Sequence, residues 1–212
     1  MSSSTQQRTN CRFAIPKKGR LYEKVVEILN GAGIRFHRKP RLDVAECTDY
    51  PMTLVFLPAA DIAKYVGMGD VDLGITGMDV VRESDVEVEK VMELGFGGCR
   101  LCVQAPVAHN IQNAEELAGK RIVTSFPHLS KKFFAEFDKK KGVETKISFV
   151  SGSVEAACGL GLADGVVDLV ETGTTMKVGI SPFSMSLRLS VCLQLTLLLM
   201  CFYCNNRLLG WR

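Results

Sequence analysis

The run Asp168-Leu-Val-Glu171-Thr172-Gly173-Thr174-Thr175 carries the chemistry most open to reading. An apolar segment, Val166–Val170, delivers it in the manner of a β-strand. Gly173 lets backbone approach a ligand closely. Threonine hydroxyls and amide N–H groups beyond a strand form a cradle for phosphate. The carboxylates just before it could accept hydrogen bonds from sugar hydroxyls or hold magnesium. The same Thr and Gly residues would also serve a plain capped turn, and local sequence leaves the two readings level. Glu155 stands in the first turn of a segment that Ser153 is expected to cap. It could complement the helix dipole or accept hydrogen bonds from a ribose.

A second candidate lies near the start. Pro16-Lys17-Lys18-Gly19-Arg20 follows a short apolar run, with Arg35, Arg38, Lys39 and Arg41 soon after. Residues 1–41 hold ten Lys/Arg against two acids, a net of +8, and residues 42–177 balance this with −8. The whole chain has a formal charge of +3, all of it contributed by three arginines in residues 178–212. A local positive field on a neutral body suits a small polyanion and argues against nucleic acid. Opposite charges pairing on the surface is the plainer reading. Gly74 and Gly77, in Val71-Asp-Leu-Gly-Ile-Thr-Gly77, either admit a nucleotide or allow tight packing. His37, His109 and His128 form no triad-like arrangement, and neither a Gly-x-Ser-x-Gly elbow nor a Walker A sequence occurs, so no covalent nucleophile is expected.

These segments need a scaffold. The chain has 212 residues, 47% hydrophobic and 23% charged, within the range of a globular protein of one large or two small domains. Apolar runs at 12–15, 53–57, 71–76, 100–105, 121–125, 146–150 and 166–170 read as strands. Helical patterns follow at 21–29, 58–66, 79–83, 114–118, 130–140 and 153–164. Alternation of this kind predicts an α/β fold with mainly parallel sheets. Two series meeting near residues 95–100 predict two lobes, 1–98 and 99–177, with a ligand cleft beyond the strand ends. The eight cysteines, behind an N-terminus without an apolar leader core, are expected to be reduced thiols in a cytoplasmic protein.

The run from Glu155 through Gly161-Leu-Ala163 and Val166-Val-Asp-Leu169 to Thr172-Gly-Thr-Thr-Met176 resembles the signature of the ATP phosphoribosyltransferase family. Ile15–Leu21, Gly69–Gly77, Leu94–Gly97 and Gly119–Pro127 are similar to stretches of the same family, and the resemblance spans about residues 12–177. It implies two periplasmic-binding-protein-like lobes. It also implies the first step of histidine biosynthesis: adenine N1 of ATP displaces pyrophosphate from phosphoribosyl pyrophosphate (PRPP), with magnesium on the pyrophosphate. Thr172, Gly173, Thr174 and Thr175 would hold the 5′-phosphate, and Glu155 and Asp168 the ribose. Lys18, Gly19, Arg20, Arg41, Gly74 and Gly77 would meet ATP or pyrophosphate. The family's homo-oligomeric assembly is not expected for this chain. A truncated inactive form and a solute-binding protein of the same architecture are the competing readings.

Beyond Lys177 the composition changes. Residues 178–212 contain no Lys, Asp or Glu, and Leu189–Cys204 is mostly apolar. The segment reads as translated intron or, second, as a membrane tail anchor, although 16 residues fall short of a spanning helix. On either reading the first lobe lacks a returning strand and exposes a sheet edge, and no regulatory domain follows.

Overall fold

The computed structural model describes residues 10–171, 185–195 and 197–201. The chain divides into two compact units. The first runs to Gly97 and takes in a distant strand, Leu197–Cys201; the second is Gly98–Leu195.

The first unit has the strands β1 (Cys11–Pro16), β2 (Val44–Glu46), β3 (Met52–Leu57), β4 (Leu73–Gly77), β5 (Glu89–Glu93) and β11 (Leu197–Cys201). Its sheet order is β2-β3-β1-β4-β11-β5. Three helices belong to it: α1 (Arg20–Gly31), α2 (Ala59–Gly67) and α3 (Met78–Ser84). β1 lies between β3 and β4, parallel to both, and its last four residues are buried. Phe13 and Ile15 join Val25 and Leu29 of α1, Leu54, Phe56 and Ile75 in one cluster. Ala14, between them, faces the other way into a cluster with Ile62, Ala63 and Val66 of α2. Alternation along one strand thus feeds two cores, and the strand reads as an unbroken apolar run because both faces are covered.

The second unit has β6 (Cys99–Pro106), β7 (Arg121–Thr124), β8 (Lys146–Phe149), β9 (Gly165–Glu171) and β10 (Met185–Leu195), in the order β10-β6-β9-β7-β8. α4 (Pro127–Lys141) and α5 (Val154–Gly159) are its helices. α4 starts three residues earlier than its apolar pattern suggests, because Pro127 occupies the first turn, where its missing N–H costs nothing. It stops at Gly142 in left-handed conformation, with Lys139–Lys141 against the negative end of the dipole. Val123, Val154, Ala157, Ala163 and Val166 pack α5 onto β7 and β9.

Three expectations are corrected. The sheets are mixed rather than mainly parallel: β2/β3, β4/β11, β5/β11, β6/β9 and β6/β10 are antiparallel. Apolar pattern reports burial and is silent on strand direction. Next, the first unit does not lack a returning strand, since β11 lies between β4 and β5 and pairs antiparallel with both. Two stretches of the tail are therefore strands, where the anchor reading required a helix. Among the described residues no helix is long and apolar enough to cross a membrane. Finally, Ser153 does not cap α5 through its side chain; it sits at φ 50° beside Gly152 at φ 83°.

At the start of β7, Arg121 forms a fork with Asp164, Nη2 to Oδ1 at 2.8 Å and Nε to Oδ2 at 3.1 Å, and donates a third bond to the Gly161 carbonyl. The guanidinium holds the Asp164 carboxyl down at about 2, below its ordinary 3.8. A lowered carboxyl contributes its stability above the unfolded value and loses it as pH falls through the folded one. The pair is solvent-exposed, so the contribution is small. Asp164→Asn is expected to lower Tm by no more than a few degrees at pH 7. The gap from wild type should close between pH 4 and 2, as melting curves at the three pH values would show.

Candidate active site

In the second unit, the ends of β7 and β8 and the middle of β9 are tied into one platform. Thr124 Oγ1 donates to the Val167 carbonyl at 2.7 Å and accepts from the Phe126 N–H. Ser125 Oγ donates to the Val150 carbonyl at 2.7 Å and accepts from Gly152 N–H at 3.4 Å. Parallel β7 and β8 end here beside the middle of β9, the edge at which α/β sheets receive ligands.

Asp168 stands in the middle of β9, half-buried, and accepts a hydrogen bond from the Leu169 N–H at 2.8 Å. Burial pushes its carboxyl up from the ordinary value, and the Glu155 carboxylate nearby adds to the rise. α5 packs Val154 and Ala157 inward, which leaves Glu155 exposed in its first turn. The structure thus brings Asp168 and Glu155 into one electrostatic neighbourhood although twelve residues separate them. Two carboxylates here make an acceptor pair suited to a vicinal diol. Thr172, Gly173, Thr174 and Thr175 lie outside the described residues.

The first unit presents the cations. β1 ends at Pro16, and Gly19 takes φ 84° with ψ −179°, a conformation essentially confined to glycine, before α1 begins. Lys18, Gly19 and Arg20 are exposed on that turn. Arg41, also exposed, sits at φ 65° in the next connection. Neither Lys18 nor Arg41 has an ion pair among the described residues. Arg38, which the sequence presented only as one more charge, is the anchor of this region. Its guanidinium reaches the Lys17 and Leu42 carbonyls and the Asp43 carboxylate. The signal available beforehand was the acid five residues later, across a turn containing Pro40.

Of the two readings of Gly74, packing is the one for which the structure supplies contacts. It is buried, and a Cβ would come within 2.7 Å of Ile62 Cγ2 and Val66 Cγ2. Paired with Ala14 across the sheet, it gives α2 its seat. A Cβ on Gly77 would collide with the Asp79 carboxylate, so this position too is taken up internally. Asp79 is buried and accepts from its own and the Val80 N–H, yet burial still raises its carboxyl. Gly74→Ala is expected to cost about 1–3 kcal/mol through overpacking. Denaturant unfolding would measure it, and ligand affinity should not change.

The family model for ATP phosphoribosyltransferase matches residues 58–192. This chain belongs to the ATP phosphoribosyltransferase family. The match ends at residue 192, inside β10, so the family resemblance does not stop at Lys177. The chain is 53% identical over 184 residues to the ATP phosphoribosyltransferase of Yarrowia lipolytica, covering 85% of this chain and 62% of that protein. With the Saccharomyces cerevisiae enzyme it shares 58% identity over 167 residues, 78% of this chain and 56% of that protein. It thus spans about three-fifths of the length of these relatives. Among solved structures, the Thermotoga maritima HisG:HisZ ATP phosphoribosyltransferase complex superposes with a TM-score of 0.73 at 27% identity, over 90% of this chain and 87% of that one. An ancestral arginine-binding protein gives a TM-score of 0.59 at 15% identity, over 94% of this chain and 87% of that one. That second likeness concerns the fold: two α/β units of the kind found in solute-binding proteins.

Proposed function

We propose that this chain carries the catalytic portion of an ATP phosphoribosyltransferase acting in the cytoplasm at the entry to histidine biosynthesis. The observation that supports it most is the Asp168–Glu155 pair at β9, in a chain of this family. Asp168 accepts hydrogen bonds from the ribose hydroxyls of PRPP, with Glu155 beside it. The amides and hydroxyls of Thr172–Thr175 take the 5′-phosphate. Lys18, Arg20 and Arg41 meet the phosphates of ATP and the departing pyrophosphate, and Gly19 keeps the turn open to them.

The reaction these groups serve is a displacement. The lone pair of adenine N1 forms a bond to C1′, and the C1′–oxygen bond breaks with its electron pair leaving on pyrophosphate. Configuration at C1′ inverts, and the adenine amino group releases a proton to solvent. No protein nucleophile is required; the work is positioning and charge compensation.

Magnesium enters with the pyrophosphate, whose charge it neutralises. Among the described residues no group of three or more His, Cys, Asp or Glu side chains is placed to hold a metal. Asp168 and Glu155 fit an ion that takes its other ligands from phosphate oxygens and water, the usual habit of magnesium. Such an ion belongs to the substrate as much as to the protein.

The test is a coupled assay for phosphoribosyl-ATP with the purified 212-residue chain, ATP, PRPP and magnesium. Product formed in proportion to enzyme supports the proposal. PRPP binding without product would point to a truncated, inactive form. Binding of neither substrate would defeat the reading.

A further inference from the structure

Three of the five N–H donors of the Arg38 guanidinium, one on each nitrogen, are spent within the fold. Nη1 donates to the Lys17 carbonyl at 3.1 Å, Nε to the Leu42 carbonyl at 3.0 Å, and Nη2 to Asp43 Oδ1 at 3.1 Å. Its plane lies over Phe56, with the central carbon 4.1 Å from the ring centroid. Phe56 is itself fully buried, and its N–H donates to the Asp43 carbonyl at 2.8 Å. The Arg38 side chain is only 25% exposed, whereas Lys18, Lys39 and Arg41 around it are open to solvent. Lys17 reaches the second oxygen of Asp43 at 3.7 Å, so that carboxylate is shared between two cations.

We infer that Arg38 is the positioning residue that fixes the two basic turns, Lys17–Arg20 and Lys39–Arg41, relative to one another so that Lys18 and Arg41 converge on a polyphosphate. The inference rests on the reading that these turns receive ATP or pyrophosphate. Besides Arg38, the Lys17–Asp43 ion pair at 3.7 Å also links the two turns. One leaves β1 and the other precedes β2, and β3 separates these strands in the sheet. Their joint is a planar fork stacked on an aromatic ring, gripping one carbonyl from each side. Lysine cannot reproduce it: an ammonium is a point charge without the paired, fixed donor directions. The charge of Arg38 is answered internally by Asp43, so its part is geometric. The cations that reach the ligand are Lys18 and Arg41, and on this account they depend on Arg38 for their spacing.

The test compares Arg38→Lys with Lys18→Ala in the full chain. ATP affinity is measured calorimetrically at two salt concentrations, and amide hydrogen exchange is followed in the 17–20 and 39–42 segments. Arg38→Lys should raise the Kd for ATP about tenfold, leave its salt dependence at the wild-type value, and speed exchange in both segments. Lys18→Ala should weaken binding with a shallower salt dependence, because a ligand-facing charge is gone. Exchange in Lys18→Ala should match wild type. Asp43→Asn, which removes only the carboxylate that orients the guanidinium, should follow Arg38→Lys in direction with a smaller shift.

A shallower salt dependence in Arg38→Gln, which removes the charge that Arg38→Lys keeps, would make Arg38 a direct ligand contact and overturn the inference. Wild-type affinity with wild-type exchange in both Arg38→Lys and Asp43→Asn would overturn it as well. Failure of the wild-type chain to bind ATP would instead defeat the functional reading, and the exchange rates alone would then decide whether Arg38 anchors the two turns.

Discussion

Asp168→Ala is expected to lower kcat/KM for phosphoribosyl-ATP formation by at least about 100-fold. On the proposed reading two hydrogen bonds from ribose hydroxyls to a carboxylate are lost, at about 1.5–3 kcal/mol each. Asp168→Asn should lose most of that, since it keeps the shape and gives up the charge. Its effect on stability should run the other way. Burial and Glu155 hold the Asp168 carboxyl above its ordinary value of 3.8 in the folded chain. The unfolded chain therefore ionises first as pH rises, and the folded state bears a penalty from there through the folded value and on to neutral pH. Asp168→Asn removes that penalty. Its Tm at pH 7 should equal or exceed that of the wild type, while activity collapses. A variant that loses both together would indicate that Asp168 is a structural residue. The same raised carboxyl predicts that PRPP affinity in the wild type weakens, as pH falls, at a higher pH than an ordinary aspartate would give. Titration of PRPP binding from pH 7 to 4 would show it.

Phe56→Ala should be the most damaging single change in the first unit. The ring is fully buried, tilted against Tyr22 at 6.2 Å and Phe36 at 5.9 Å, and it supports the Arg38 guanidinium at 4.1 Å. Truncating such a residue costs about 3–5 kcal/mol, a large part of the 5–15 kcal/mol that holds an ordinary domain folded. Urea denaturation should show the midpoint falling sharply. Hydrogen exchange should show protection lost first in β1, β3 and α1, the elements that share the cluster. Phe56→Leu fills most of the volume and should cost far less, yet it removes the face on which Arg38 lies. It should therefore retain most of the stability while weakening ATP binding. Equal loss of stability in the two variants would show that the site can relax around neither.

What could be read in advance follows from what a one-dimensional pattern encodes. β1 and β3 are apolar on consecutive residues because a different cluster covers each face, and such runs stand out. β2 has three residues, two of them exposed, and β5 is exposed throughout, so neither offers a pattern to find. The antiparallel placement of β6 beside β9 has no local signature. The tail hid its strands for a different reason: their alternation sits within an abrupt change in composition, and pairing with β4, β5 and β6 is a property of the partners.

The candidate site divides along the same line. Asp168 and Glu155 were visible as residue types at a spacing, and their proximity follows from a helix that leads directly into the strand beside it. Gly74 was equally visible and equally compatible with a ligand. Only the positions of Ile62 and Val66 above it show that packing uses the space. Arg38 looked like its neighbours, since nothing in a run of basic residues says which guanidinium turns inward. That is decided by Asp43, just ahead of β2, and by Phe56 on β3.

A crystal structure of the chain with PRPP tests the central claim most directly. The account predicts the ribose hydroxyls within hydrogen-bond distance of the Asp168 carboxylate, Glu155 beside them, and the 5′-phosphate on the Thr172–Thr175 segment. PRPP seated away from the end of β9, or a ribose that touches neither carboxylate, would contradict it.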